Sequence, residues 1–325
     1  MIVVTGGAGF IGSAIVWALN ERGDTDIVIV DDVDHEQKER NIAHLKYERV
    51  VGIKEWRKQL YSGEFDTQNI TGIIHLGACS DTTETNWEYL KDNNVEYSKD
   101  IIRWCHDHGV RCVYASSAAT YGDGTKGFSD DPELFNELKP LNLYGKSKLL
   151  VDIWARDGGY LDTTVGLRYF NIYGPNEWHK EHMRSVICKK FDEVSAEGVI
   201  RLFKSDHPDY KDGDQDRDFF YVKDTVDATL FFLDGAEGGG VFNIGSGKAQ
   251  TWNQVAEAMF AALGKEPNIE YVDMPDKLKG QYQYHTQADA TKLRAAGYTQ
   301  EGTSLRAAID DYITNYLVPD KHLGE

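Results

Sequence analysis

The chain begins with a β-branched run, Ile2-Val3-Val4-Thr5, that leads straight into Gly6-Gly7-Ala8-Gly9-Phe10-Ile11-Gly12 and then into an apolar-periodic segment through Leu19. Few folds accept glycines at that spacing between a strand and a helix. Gly6, Gly9 and Gly12 fit G-x-x-G-x-x-G, the pattern needed where a turn is tight and the backbone approaches a pyrophosphate at a helix N-terminus. A second strand, Asp26-Ile27-Val28-Ile29-Val30, ends at Asp31 and Asp32. That is about 20 residues past the last glycine, where a carboxylate can reach an adenosine ribose. Two independent features agree on a dinucleotide.

Further strands are expected at 72–76, 111–115 and 164–168, separated by long amphipathic segments, notably 85–108. This βαβ alternation predicts an α/β protein: a Rossmann doubly wound parallel sheet with a smaller mixed α/β substrate-binding lobe. The switch-point rule puts the ligand at the carboxyl ends of the strands, where Gly77-Ala78-Cys79-Ser80, Ser116-Ser117 and Asn171 fall. Residues 1–175 are expected to form mainly the dinucleotide domain and 176–325 mainly the substrate lobe. The two interleave, because a segment near 218–250, with its strand at Val241, is expected to return to the sheet. Helices are expected near 182–197, from Asp224 and after Thr303. The loop from Asp206 to Asp216 holds five Asp and is expected to be exposed and mobile; without the spacing and terminal Glu of an EF-hand, solvation explains it better than calcium.

With 325 residues, 41% of them hydrophobic, the chain can bury a substantial core, and no apolar run approaches the roughly 20 residues of a membrane span. Met1 leads into the first strand with no basic or long apolar leader, which points to the cytoplasm. A net charge of −18 disfavours general nucleic-acid binding and anionic membranes, so an anionic substrate must meet a local basic cluster. Cys79, Cys105, Cys112 and Cys188 lack zinc-ligand spacing and read as reduced thiols. His106-Asp107-His108 reads as the solvated end of a helix, and no metal site is expected.

Tyr144-Gly145-Lys146-Ser147-Lys148 puts a Tyr and a Lys four residues apart, on one face of a helix's first turns. A Tyr near its ordinary value of about 10 is a poor base, but a neighbouring ammonium favours the phenolate. Alone, the pair could equally be two surface residues. Together with the glycine turn and with Ser116-Ser117-Ala118-Ala119-Thr120-Tyr121-Gly122 after a strand, it resembles the extended short-chain dehydrogenase/reductase family. The resemblance implies that Ser117 hydrogen-bonds the reacting oxygen, Tyr144 exchanges the proton, and Lys148 holds the nicotinamide ribose while lowering the Tyr144 pKa. Dehydratases of that family carry Ser-Ser-Thr-Asp-Glu where this chain has Ser116-Ser117-Ala118-Ala119-Thr120. Epimerisation or simple reduction remains.

Within the family the chain is more similar to the ADP-heptose 6-epimerases, over nearly its whole length. The likeness rests on Arg168-Tyr169-Phe170-Asn171, Tyr173-Gly174-Pro175, His179-Lys180, Arg217-Asp218-Phe219 and, most distinctively, the run from Pro275 to Gln283 that contains Asp276-Lys277-Leu278-Lys279-Gly280. It implies transient oxidation at C6 and return of hydride to the opposite face, in the service of lipopolysaccharide inner-core synthesis. It also implies a second base, Lys180, which otherwise reads as a surface lysine or a phosphate ligand. Implied cofactor positions are the glycine turn with Phe10 and Ile11, then Asp31, Asp32, Lys38, Lys54, Leu76, Gly77, Ala78, Cys79, Ser80, Asn93, Lys148, Ile172 and Lys180. Implied substrate positions are Asn171, Phe203, Lys204, Ser205, Asp206, Arg217 and Tyr282. His182 and Lys189 stand where the family usually has Ser and His, and the 207–216 loop is longer than usual. Asp31 would repel a 2′-phosphate and argues for NAD, whereas Lys38 suits the extra phosphate of NADP. Lys38 and the family's habit decide for NADP, with NAD the alternative. Family members often form homo-oligomers, pentamers among them. A 4-epimerase or reductase on the same scaffold is the competing reading; a dinucleotide sensor ranks below both, since it needs no Tyr activated by Lys.

Overall fold

A computed structural model describes residues 1–62, 69–235, 238–276 and 282–325. The first half runs β1 (Ile2–Thr5), α1 (Phe10–Glu21), β2 (Ile27–Val30), α2 (Glu36–Ile42), β3 (Arg49–Val51), α3 (Ile53–Ser62), β4 (Gly72–His75), α4 (Trp87–Leu90), α5 (Tyr97–His108), β5 (Arg111–Ser117), α6 (Leu143–Asp157), β6 (Thr164–Tyr169) and β7 (Asn171–Tyr173). It continues with α7 (Val186–Glu197), β8 (Ile200–Phe203), β9 (Asp216–Arg217), β10 (Phe219–Tyr221), α8 (Val222–Leu233), β11 (Gly240–Ile244), β12 (Gln250–Thr251), α9 (Trp252–Ala262), β13 (Ile269–Val272), α10 (Thr291–Ala295) and α11 (Leu305–Tyr312).

Among the described residues, seven strands form one parallel sheet in the order β11-β6-β5-β4-β1-β2-β3. Strand order reverses between β1 and β4, which pair from Ile2↔Gly72 to Thr5↔His75, so the carboxyl-end crevice opens there. Side-chain alternation sorts the apolar strand residues to both faces. Val4, Ile29 and Ile74 pack with Ala14 and Ile15 of α1, while Val3, Val28 and Ile73 pack with Trp56 of α3 and Ile101 of α5. Helices on both faces explain why these strands read as unbroken apolar runs. β11 joins the edge beside β6, from Gly240↔Val165 to Ile244↔Tyr169. Outside this sheet lie the short pairs β7–β10, β9–β12 and β8–β13. Met259, Phe260 and Tyr312 continue the core that begins under α1.

Three expectations are modified. The helix expected over 85–108 is interrupted by a π-helical stretch at Lys91–Glu96, which the amphipathic period conceals. The helix expected from 182 starts at Val186, capped by Ser185 Oγ on Cys188 N–H at 3.1 Å. It cannot start earlier, because Arg184 (φ −56°, ψ 153°) and Ser185 (φ −56°, ψ 157°) are extended. In the 206–216 loop the first residues are exposed, but Gly213 and Gln215 are buried and Asp212 accepts the Ser205 N–H at 2.8 Å. Cys105, Cys112 and Cys188 are buried free thiols and Cys79 is half-buried. The Lys277–Gln281 part of the distinctive run lies outside the described residues.

Candidate active site at the carboxyl edge of the sheet

The glycine turn is built by close backbone approach. Gly6 has φ +68°, and a Cβ there would stand 2.9 Å from Gly77 N in the turn after β4. A Cβ on Gly12 would lie 2.1 Å from Gly6 O. Gly9 caps α1 with no side chain on the free N–H groups and no acid in the first turn. Those N–H groups and the helix dipole suit an anion, so the residues present fit a dinucleotide pyrophosphate. Phe10 and Ile11 follow directly. Asp31 accepts Ala8 N–H on one oxygen at 3.0 Å and Lys38 Nζ on the other at 3.0 Å. Asp32 accepts Ile53 N–H at 3.0 Å at the head of α3, where Lys54 is exposed. The carboxylate expected to repel a 2′-phosphate is thus already partnered by Lys38.

The turn after β4 places Leu76, Ala78 and Cys79 half-buried, Gly77 buried and Ser80 exposed. Thr5 Oγ1 accepts Gly77 N–H at 3.0 Å and lies 2.7 Å from His75 Nδ1. Burial lowers the His75 pKa to about 3, so the ring is neutral. Asn94, in the π-helical stretch, accepts Cys79 N–H and donates to Cys79 O, both at 2.9 Å, and donates to Ser147 Oγ of α6 at 3.0 Å. Asn93 is its neighbour, donating to Asn94 Oδ1 at 3.3 Å. Asn94 therefore ties the β4 turn to the helix that carries Tyr144 and Lys148.

That helix is capped by Asn142 Oδ1 on Gly145 N–H at 2.7 Å. A Cβ on Gly145 would stand 2.5 Å from Ala119 O, which is how α6 comes to rest on the turn after β5 and brings Tyr144 to Ser117. Burial raises the Tyr144 pKa and the hydrogen bond with Ser117 opposes it. Lys148 is 4% exposed, donates to Ala115 O at 3.0 Å and lies 5.9 Å from the Tyr144 ring centre. Burial lowers its pKa to about 8, with Asp152 acting the other way. The net shift of Tyr144 is upward, opposite to the lowering expected from Lys148, because desolvation of the phenol is the largest cause. Asp152 accepts Tyr114 OH, Ser116 Oγ and Arg168 Nε, each at 2.9 Å, with both charged partners wholly buried. Arg168 also lies over Phe135 at 4.3 Å and Tyr121 at 4.9 Å. Sequence reasoning missed Asp152 as part of the site; its place four residues after Lys148 is the signal that could have found it.

The turn after β7 approaches from another element. Lys180 Nζ lies 5.1 Å over the ring of Phe10, the first residue of α1. Burial lowers its pKa, opposed by Glu177 and Cys188. Glu177, wholly buried and also missed, accepts Gly174 N–H at 3.3 Å, Ser185 Oγ at 2.7 Å, Tyr312 OH at 3.0 Å and the Ser185 N–H. His182 Nε2 stands 3.6 Å from Asp81, and Lys189 Nζ donates to His182 O at 3.3 Å.

The third group centres on Arg217, 7% exposed, which donates to Asp216 O at 2.7 Å and to Gln283 O. It lies 5.2 Å over Tyr282 and 5.9 Å over Trp252, whose Nε1 donates to Tyr282 OH at 2.9 Å. Phe203 meets Tyr282 edge-on at 6.3 Å. Burial lowers the Arg217 pKa, and among the described residues no carboxylate forms an ion pair with it. Asp206 is held by Tyr284, beside Ser205, whereas Lys204 turns outward to Asp273 at 2.9 Å. Gln283 Nε2 donates to Gly122 O at 2.8 Å, joining this group to the turn after Ser117. Asn171 is exposed and accepts Thr286 Oγ1 at 3.1 Å; Ile172 is half-buried beside it. No hydrogen bond or ion pair joins His182 or Lys189 to the Arg217 group among the described residues.

Residues 2–245 match the family model described as the NAD dependent epimerase/dehydratase family. The chain belongs to that family. The match begins at the first residue of β1 and ends just past β11, so it spans the whole parallel sheet. A Nitratidesulfovibrio vulgaris (strain Hildenborough) protein named ADP-L-glycero-D-manno-heptose-6-epimerase is 48% identical over 324 residues, 99% of this chain and 100% of that one. A Fusobacterium nucleatum protein of the same name is 43% identical over 332 residues, 98% and 99% of the two chains. The crystal structure of the Helicobacter pylori ADP-L-glycero-D-manno-heptose-6-epimerase is similar with a TM-score of 0.80 at 26% identity, covering 97% of this chain and 95% of that one.

Proposed function

We propose that this protein inverts C6 of ADP-D-glycero-β-D-manno-heptose to give the L-glycero epimer, with NADP held in the glycine turn. The names of relatives 48% and 43% identical over nearly their whole length support that substrate. The observation that carries the reading is Lys180, a half-buried lysine whose pKa is lowered by desolvation and which is brought to the first residue of α1. Simple oxidation needs one proton-handling group. Inversion through a planar carbon needs a second, because hydride leaves one face and returns to the other.

Bound NADP supplies reversible hydride acceptance, so C6 passes through a transient ketone. Tyr144 takes or returns the hydroxyl proton in one orientation of the carbinol, with Ser117 bonded to the reacting oxygen, and Lys180 does so in the other. Lys148 holds the nicotinamide ribose. NADP suits the adenosine end because Lys38 pairs with Asp31 and offsets its repulsion of a 2′-phosphate. Arg217, a buried cation with no carboxylate paired to it among the described residues, takes the diphosphate through its fork of donors, flanked by Phe203 and Tyr282. Lys189 adds positive charge on the α7 side, with His182 beside it. The enzyme works in the cytoplasm as a homo-oligomer and supplies heptose for the lipopolysaccharide inner core.

The test is an NMR assay of the purified protein with ADP-D-glycero-β-D-manno-heptose and no added cofactor, following the configuration at C6. Inversion without net NADPH is expected. Turnover of UDP- or GDP-hexoses while the heptose stays unchanged, even with NADP or NAD added, would overturn the reading.

A further inference from the structure

The segment after α11 crosses back to the dinucleotide half of the molecule. Arg40 of α2 donates to Asp320 O at 2.9 Å and pairs with its carboxylate at 3.2 Å. Two residues on, His322 is buried and its Nδ1 lies 2.7 Å from Asn41 Oδ1. The carbonyls of Ala8 and Asn176 only accept, so the Asn41 amide turns its Nδ2 to them and its Oδ1 to His322, whose ring then donates from Nδ1. The Asn41 Nδ2 thus faces the glycine turn and donates to Ala8 O at 3.0 Å and to Asn176 O at 3.1 Å. Asn176 completes the array: its Oδ1 accepts Leu323 N–H and its Nδ2 donates to Ser13 Oγ of α1, both at 2.9 Å. Asn41, Asn176 and Ser13 are wholly buried.

Ala8 is thereby gripped at both ends of its residue, its N–H by Asp31 and its carbonyl by Asn41. The direction in which the free N–H groups of α1 point depends on that grip. One of the two gripping side chains is held from its oxygen side by a residue 281 positions further along the chain. A plug needed only to fill space would be apolar. His322 instead leaves Nε2 buried with no partner among the described residues, a cost that the bond from Nδ1 helps to offset.

We propose that the segment from Asp320 to Leu323 braces the dinucleotide-binding turn, with His322 acting through Asn41 as a positioning residue for the cofactor. This rests on reading the glycine turn as a dinucleotide site. It is tested on full-length, nucleotide-stripped protein by fluorescence titration with NADPH. His322→Ala is expected to weaken NADPH binding about tenfold or more, the scale of a buried hydrogen bond lost with its acceptor left orphaned. His322→Asn, whose amide Nδ2 stands where the ring Nδ1 stood, is expected to recover most of the loss. Arg40→Ala, a milder surface change that frees Asp320, is expected to weaken NADPH in the same direction by a few-fold. With NADPH saturating, kcat and the KM for the sugar nucleotide should stay within about twofold. An unchanged NADPH Kd in both alanine variants, with only Tm lowered, overturns the brace. Equal weakening for NADPH and for the sugar nucleotide overturns it too, since the segment would then be general support. If the wild-type protein bound neither NADPH nor NADH, the dinucleotide reading itself would fall.

Discussion

Lys148→Met should make the nucleotide-free protein more stable while removing its activity. Lys148 is nearly inaccessible, and burial lowers its pKa from the ordinary 10.5 to about 8. At about 1.4 kcal/mol per pH unit, holding that ammonium inside the folded protein costs about 3 kcal/mol relative to the unfolded chain. Methionine keeps the volume and drops the charge. It also drops the bond to Ala115 O, worth about 1 kcal/mol, which leaves a net gain of about 2 kcal/mol. For a chain of 325 residues that is a rise in Tm of about 3 °C. The sign of the pH dependence follows from the order of the two values. Below pH 8 both folded and unfolded wild type hold the proton, and the penalty stands in full. Between pH 8 and 10.5 the unfolded chain binds more protons than the native protein, so native stability rises with pH and the advantage of methionine shrinks. Calorimetry or urea unfolding at pH 7 and pH 9.5 should show a gap that nearly closes at the higher pH. A variant less stable than wild type at pH 7, or a gap indifferent to pH, would refute the reasoning about this buried ammonium.

Tyr144→Phe should lower kcat for C6 inversion by about 10²–10⁴-fold, read by NMR, with NADPH affinity unchanged. Lys180→Met should cost about 100-fold in kcat, and the residual rate should lose the rise with pH that comes from freeing the Lys180 amine; a full rate with that rise intact would remove Lys180 from the chemistry. Arg217→Ala should raise the KM for the sugar nucleotide by about 10–100-fold while changing kcat only a few-fold, measured by steady-state kinetics.

What the sequence reveals here is whatever is enforced locally. The glycine turn is legible because Gly6 and Gly12 answer to atoms within the same strand-turn-helix unit and the neighbouring turn. The Tyr144–Lys148 helix is legible because its spacing is helical, and the strand runs because burial on both faces leaves them apolar. The return of β11 to the sheet is foreshadowed by the apolar strand at Val241. The electrostatics are not legible. Asp31 looks like an obstacle to a 2′-phosphate until α2 folds back and sets Lys38 on it. Lys148 looks like a free ammonium until β5 and Asp152 enclose it, and Tyr144's own desolvation raises its pKa instead of lowering it. Glu177, Asn41, Asn176 and His322 carry no local signature, because their partners come from as far as 135 and 281 residues away.

The sheet's wiring also sets a schedule for making the protein. Among the described residues the outer edge of β6 is covered by β11 alone, and the last residue of β6 is separated from the first of β11 by a long excursion through the other lobe. That excursion is about 70 residues, so a ribosome adding roughly 5–20 residues per second takes on the order of 4–14 s to deliver the cover. During that interval the Thr164–Tyr169 strand, fully buried in the finished molecule, presents a row of unpaired N–H and C=O groups to any other nascent strand. A chain halted between residues 170 and 240 is accordingly an aggregating species, not a smaller dinucleotide-binding module, and efficient production depends on whatever shields that edge until Gly240 emerges.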